Sequence, residues 1–253
     1  MSLIGWFARV PGFFVVPYSI LFSKKPMELG ATERRLVPDI VANVNKTLFS
    51  HAASCDDKPL FIDMGSNIGQ GFEYFSQFYS PDCFDFWFLE PNPHLTHKLS
   101  QRISSLYVQN QWKGKGQLLV EAVSNANGFT KFYGLVEDSR GLESDGASIV
   151  RNHNSIWYKS NPHKAIDIKI VRATDLIKRA LENNYKTIVV KMDIEGAEYD
   201  VLEDLIKSGF IEKISHLYVE FHSQFVREEE RGAVLLREKT IKETLKGYLF
   251  AWI

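Results

Sequence analysis

The 253-residue chain has little cysteine: only Cys55 and Cys83. Two cysteines cannot build a disulfide framework or a CxxC zinc site. Such sparing use points to a reducing compartment, with a single disulfide left open. Neither sign of charge is in excess, since 30 Lys and Arg face 31 Asp and Glu for a formal net charge of −1. Proteins that bind duplex nucleic acid usually carry a basic excess, so no nucleic acid is expected as a partner. Internal repeats and low-complexity tracts are also missing. A composition of 45% hydrophobic and 24% charged residues is that of a globular chain and excludes collagen-like or coiled-coil readings.

An unbroken apolar run is lacking too. Residues 3–22 hold fourteen apolar side chains in twenty, but Arg9, Pro11, Gly12 and Pro17 interrupt them. A spanning helix needs about 20 predominantly apolar residues, and proline breaks helical hydrogen bonding. The basic n-region and small-residue cleavage site of a secretory signal are not visible. The expectation is a cytoplasmic protein with an apolar N-terminal segment over 1–30 and a single domain over 31–253. Membrane association through residues 3–22 stays open.

After Gly30, short apolar runs alternate with amphipathic stretches, the pattern of an α/β fold with a mostly parallel sheet flanked by helices. Strands are expected at 60–62, 84–89, 117–123, 129–133, 166–171, 186–192, 216–221 and 248–252. Helices are expected at 32–49, 71–79, 94–106, 174–183, 197–208 and 231–246. Asn127-Gly128 reads as the turn of a hairpin, and Thr174 as a helix cap. Residues 137–165 are polar and aperiodic, as in a functional loop. With Arg140, Ser148, Trp157 and His163, this segment is the expected cover of an acceptor.

Four motifs carry chemistry. FIDMGSNIGQG at 61–71 runs a buried strand into Asp63 and then into Gly65, Gly69 and Gly71. Ligands of open α/β sheets bind beyond the carboxyl ends of the strands, where glycine permits close backbone approach. The spacing is not the GxGxxG of nicotinamide-binding folds. A carboxylate at the strand tip repels phosphate and suits a cationic group, such as the ammonium or sulfonium of S-adenosylmethionine. Glu90 ends the second strand, where an acid can accept both hydroxyls of an adenosine ribose. In KMDIEGAEYDVLEDLI at 191–206, alternation puts Lys191 and Asp193 on one face. A lysine in an apolar strand needs a carboxylate or a substrate oxygen. Glu195 and Glu198 follow, and Glu198 is expected mainly to complement the helix dipole. LYVEFH at 217–222 places Glu220 and His222 at a further strand tip, where His222 can act as a general base.

FIDMGSNIGQG, FLEPNP, VEAVSNANG, VKMDIEGAEYDVL and LYVEFH, in this order over roughly residues 58–253, resemble the FkbM-type S-adenosylmethionine-dependent methyltransferases. The resemblance implies a class I methyltransferase (Rossmann-like) sheet, here shortened at the C-terminal strand hairpin. It implies O-methylation of a hydroxyl on a sugar, glycan or small natural product. Carried over, Asp63, Gly65, Asn67 and Gly69 form the cofactor loop, Glu90 clamps the ribose, and Ala122 and Val123 flank the adenine. Asp193 and Glu195 face the reaction centre; class I topology would bring His222 to the methyl group beside Asp193, and Lys191 is the further catalytic candidate. If His222 is the base, the rate should rise through about pH 6.5. A divalent metal on Asp193, Glu195 and Glu220 is the less favoured arrangement. The alternatives are a nicotinamide-dependent oxidoreductase, against which the missing GxGxxG argues, and a non-catalytic binding module, which would have no need of Asp63, Glu90 and Asp193.

Overall fold

A computed structural model describes residues 59–138, 141–153 and 160–245, together with the backbone of 249–251. Among these residues the main sheet has six strands, all paired in parallel. At its centre lies β1 (Leu60–Met64), with β2 (Asp85–Leu89) and β3 (Gly116–Leu119) to one side. On the other side follow β7 (Ile188–Met192), β8 (His216–Val219) and β9 (Leu249–Ala251). Every residue of β1 and β7 is buried, as expected of parallel strands covered on both faces.

Side-chain alternation gives the two faces different chemistry. Phe61, Phe86 and Phe88 point into an aromatic layer with Phe72 and Phe75 of α1 (Gln70–Phe75) and Leu99 and Ile103 of α2 (Thr96–Asn110). Leu60, Ile62, Trp87 and Leu89 point the other way. There they meet Ile177 of α3 (Ala173–Glu182), Leu202 of α4 (Glu198–Ser208) and Ile241 of α5 (Glu228–Thr244). Complete burial of each such side chain stabilises by about 1.5–3 kcal/mol. These layers fix β1, β2 and β7 in register, so their carboxyl-terminal loops converge at one sheet edge.

A second sheet departs from the sequence expectation. The strand foreseen over 117–123 divides, because β2 ends at Leu89 and Pro91 offers no N–H for further pairing. The chain leaves the main sheet and forms β4 (Ala122–Ser124). β4 and β5 (Gly128–Phe132) do not form the expected hairpin. β6 (Ile166–Arg172) inserts between them, parallel to β4 and antiparallel to β5, burying Ala122, Phe132, Ile168 and Ile170 together. Asn127 accepts from the Arg172 amide instead of turning a ribbon. Thr174 lies within α3 and donates to Asp204, so it is not the cap.

Cys83 is disulfide-bonded, the alternative that the two cysteines left open, so cysteine usage gives no argument for a reducing compartment. The other cysteine, Cys55, lies outside the described residues, as do residues 3–22 and the helix expected at 32–49. Among the described residues no helix is long and apolar enough to cross a membrane.

Candidate active site

A cleft open to solvent lies beyond the tips of β1, β2 and β7. The sequence after β1 folds as it does because three successive sites need left-handed backbone: Gly65 at φ 79°, Asn67 at φ 50° and Gly69 at φ 87°. At Gly65 the need is steric as well, since a Cβ there would stand 1.8 Å from the Asp193 carbonyl oxygen. The loops after β1 and β7 are therefore in backbone contact. Glu90, at the end of β2, joins the loops after β1 and β2. One carboxylate oxygen accepts from the Asn67 amide and the other from the Asn92 amide, each at 2.8 Å. Each oxygen keeps a second lone pair for a ligand hydroxyl.

Burial, only partly offset by those amides, pushes Glu90 up to about 7. The folded chain thus holds this proton more firmly than the unfolded chain, whose carboxyl keeps the ordinary value near 4.5. The cost of the buried anion is present in full above about pH 7, shrinks as pH falls, and is gone below about 4.5. The free protein is expected to gain up to about 3 kcal/mol from this group between pH 8 and pH 4. Urea titrations of wild type and Glu90→Gln at the two pH values check this, because the variant should lack that increment.

Beneath the loop lies a charged pair that strand register creates, Asp63 standing opposite Lys191 in the β1–β7 ladder. Both are buried. The Lys191 Nζ donates to the Gly65 carbonyl at 2.7 Å and sits 3.3 Å from Asp63 and 3.2 Å from Asp193. Burial raises Asp63 above the usual carboxylate range against the pull of Lys191.

The turn after β7 builds the acidic wall. Glu195 is a non-glycine residue at φ 54°, followed by Gly196 at φ 97°, a conformation that costs of order 1–3 kcal/mol unless its surroundings hold it. Glu198, wholly buried, supplies the hold by accepting from the Ile194 and Gly196 amides. The same oxygen lies 2.9 Å from His222 Nδ1. Glu198 therefore does more than complement a helix dipole. His222 Nε2 points at three carboxylates, 3.6 Å from Asp193 and 3.7 Å from both Glu195 and Glu220. Burial alone would lower the His222 pKa, but Glu195, Glu198 and Glu220 outweigh it and hold it well above 6.5. His222 is thus a cation near neutral pH, so a rate rising through 6.5 is not expected from it. His153 lies behind Glu195 at 3.4 Å. It is driven down to about 3 by burial and by the neighbouring His222 charge.

The segment foreseen as a polar cover crosses the cleft as a strap. Asn92 donates its side-chain amide to the Leu142 and Ser144 carbonyls at 3.0 and 3.4 Å. The Ser148 hydroxyl donates to the Glu195 carbonyl at 2.6 Å. Arg140 and Trp157 lie outside the described residues.

Of the residues singled out in the sequence, Gly65, Asn67, Glu90, Ala122, Val123, Asp193 and Glu195 line this one cleft. Asp63, Gly69, Lys191 and His222 are not on its lining; the first and third lie beneath the loop, and His222 stands behind Asp193 and Glu195. Sequence reasoning missed Asn92 and His153 as site residues and gave Glu198 a lesser role. Only the EGAE spacing hinted at Glu198, since it puts a second acid one helical turn from the first.

A parallel α/β sheet with its cleft at the strand tips, walled by acids and entered by a glycine loop, is an arrangement of the Rossmann-like class. Residues 63–245 match the model of the methyltransferase FkbM domain. The chain belongs to that methyltransferase family, and its fold is of the class I methyltransferase kind. No curated protein matches the chain. Among solved structures, the methyltransferase FkbM from Methylobacillus flagellatus KT is similar at 15% identity and a TM-score of 0.43. The alignment covers 82% of this chain and 54% of that one, so this chain spans about half the length of that relative.

Proposed function

We propose that the chain binds S-adenosylmethionine in the cleft and methylates a hydroxyl of a sugar, glycan or small natural product. One observation carries the reading. The described residues of the cleft wall include Glu90, Glu121, Asp145, Asp193 and Glu195, and no Lys, Arg or His. Such a wall repels a pyrophosphate, which favours cations and helix N-termini, and speaks against a nicotinamide dinucleotide. It attracts a ligand bearing sulfonium and ammonium charges.

Glu90 would hold the ribose, since a carboxylate fixed by two amides keeps two acceptor sites directed outward. Ala122 and Val123, small and apolar, would pack against a base, and the Gly65–Asn67 backbone would bound the amino-acid end. When bound, S-adenosylmethionine supplies an electrophilic methyl group. The protein's share is to align the acceptor oxygen, exclude water and receive the hydroxyl proton. Asp193 and Glu195 are the carboxylates on the wall that can take that proton. Lys191 fixes one oxygen of Asp193, and the Glu198-held turn fixes Glu195.

Glu90→Ala is expected to weaken S-adenosylmethionine binding by roughly 1.5–3 kcal/mol, the range for hydrogen bonds to charged groups. Calorimetry on the folded variant measures it, and an unchanged affinity overturns the cofactor assignment. Because the ribose needs the Glu90 anion, wild-type affinity should rise with pH through about 7, opposite in sign to the stability of the free protein. Methyl transfer from labelled cofactor to a panel of glycans, lipids and small alcohols tests the acceptor class.

A further inference from the structure

We infer that Asp193, Glu195 and His222 form a binding site for one divalent transition-metal ion at the inner end of the cleft. One ligand atom from each lies within 4.8 Å of the others. Ligands about 2.0–2.2 Å from a tetrahedral zinc stand roughly 3.3–3.6 Å apart. His222 Nε2 is 3.6 Å from Asp193 Oδ1 and 3.7 Å from Glu195 Oε2, so the two pairs that involve His222 already stand near ligand spacing.

Two carboxylates alone would say little. The independent observation is His222, which is 2% exposed and aimed into the cluster. Its Nδ1 is engaged by the buried Glu198 at 2.9 Å, and its Nε2 faces Asp193 and Glu195, where a metal ion would take the place of the Nε2 proton. A carboxylate holding one ring nitrogen so that the other faces outward is the arrangement that orients imidazole ligands and raises their basicity. Asp193 divides its oxygens in the same sense, with Oδ2 on Lys191 at 3.2 Å and Oδ1 toward His222.

Charge points the same way. Asp193, Glu195, Glu198 and Glu220 surround His222. The nearby cation Lys191 is shared with the buried Asp63. A divalent ion would offset the mutual repulsion of these closely spaced carboxylates. One imidazole with carboxylates suits Mn2+, Fe2+ or Zn2+ better than a soft thiolate-seeking ion. Three protein ligands leave positions open on the cleft side, the pattern of catalytic rather than structural metals. On the proposed-function reading, an acceptor hydroxyl would occupy an open position and lose its proton more readily. The site itself does not depend on that reading.

The experiment is Mn2+ titration of the full-length chain after dialysis against chelator, followed by calorimetry and by loss of the free-ion paramagnetic resonance signal. S-adenosylmethionine affinity is measured separately with and without chelator. The expected result is one Mn2+ per chain, displaced by Zn2+. Glu195→Gln, on the cleft wall and nearly isosteric, should weaken Mn2+ at least tenfold. Glu198→Gln, which changes the partner of His222 and the hold on the Glu195 turn without removing a ligand, should weaken it about 10–100-fold and be less damaging than His222→Ala. No Mn2+ uptake at millimolar concentration by folded wild type overturns the site, as does wild-type Mn2+ affinity in both Glu195→Gln and His222→Ala. If cofactor binds and metal does not, only this inference fails. If metal binds and cofactor does not, only the proposed function fails.

Discussion

Replacing Lys191 with methionine is expected to destabilise the folded chain by roughly 3–5 kcal/mol, the range for removing one partner of a buried ion pair. The side chain is 3% exposed, and its ammonium group is the cation between Asp63 and Asp193. Methionine keeps most of the volume, so the loss is electrostatic rather than steric. It strands an anion at the 1%-exposed Asp63, which must then take up a proton or draw water into the sheet. The Gly65 carbonyl also loses its donor at 2.7 Å. Denaturant unfolding of Lys191→Met measures the effect. Asp63→Asn in the same chain should recover a large part of it, since the anion that suffers is then gone. A loss below about 1 kcal/mol would mean that water already reaches the pair.

Gly65→Ala is expected to be comparably damaging, by about 3 kcal/mol or more, for steric reasons. The added methyl would fall 1.8 Å from the Asp193 carbonyl oxygen and 2.9 Å from its carbon, at a φ of 79°. Neither atom belongs to a flexible side chain that could swing aside, so the loops after β1 and β7 must separate. Buried overpacking alone typically costs 1–3 kcal/mol, and the left-handed backbone adds to it. Parting these loops moves Asn67 away from Glu90 and Asp193 away from Lys191. Stability by denaturation and S-adenosylmethionine affinity should therefore fall together. A variant with wild-type stability would show that the two strand tips can slide past each other at little cost.

Much of the main sheet was legible in the sequence, because its strands are continuous apolar runs and its helices repeat at helical spacing. FIDM, FWFL and IVVKM are short, β-branched or aromatic apolar runs that read as buried strands, and the glycines after Asp63 mark a turn. What stayed illegible depends on long-range pairing. That β6 comes between β4 and β5 is settled by burial of Ala122, Phe132, Ile168 and Ile170, residues far apart in the chain. The local Asn127-Gly128 signal pointed to a hairpin and was overridden. In the site, the acids at strand tips could be read from position alone. His153 could not, since it sits in an aperiodic segment and reaches Glu195 only through the tertiary fold. Glu198 looked like an ordinary first-turn acid because its two amide partners lie in a turn whose left-handed backbone at Glu195 breaks the usual preference.

The strap over the cleft is fastened at both ends, by Asn92 to the carbonyls of Leu142 and Ser144 and by Ser148 to the carbonyl of Glu195. Its conformational entropy has thus been given up on folding, before any ligand arrives. A loop that ordered only on binding would draw part of the interaction free energy for itself and would enlarge the heat-capacity change. Here the heat-capacity change on binding should reflect the apolar surface that the ligand covers, with no added share from segment 142–148.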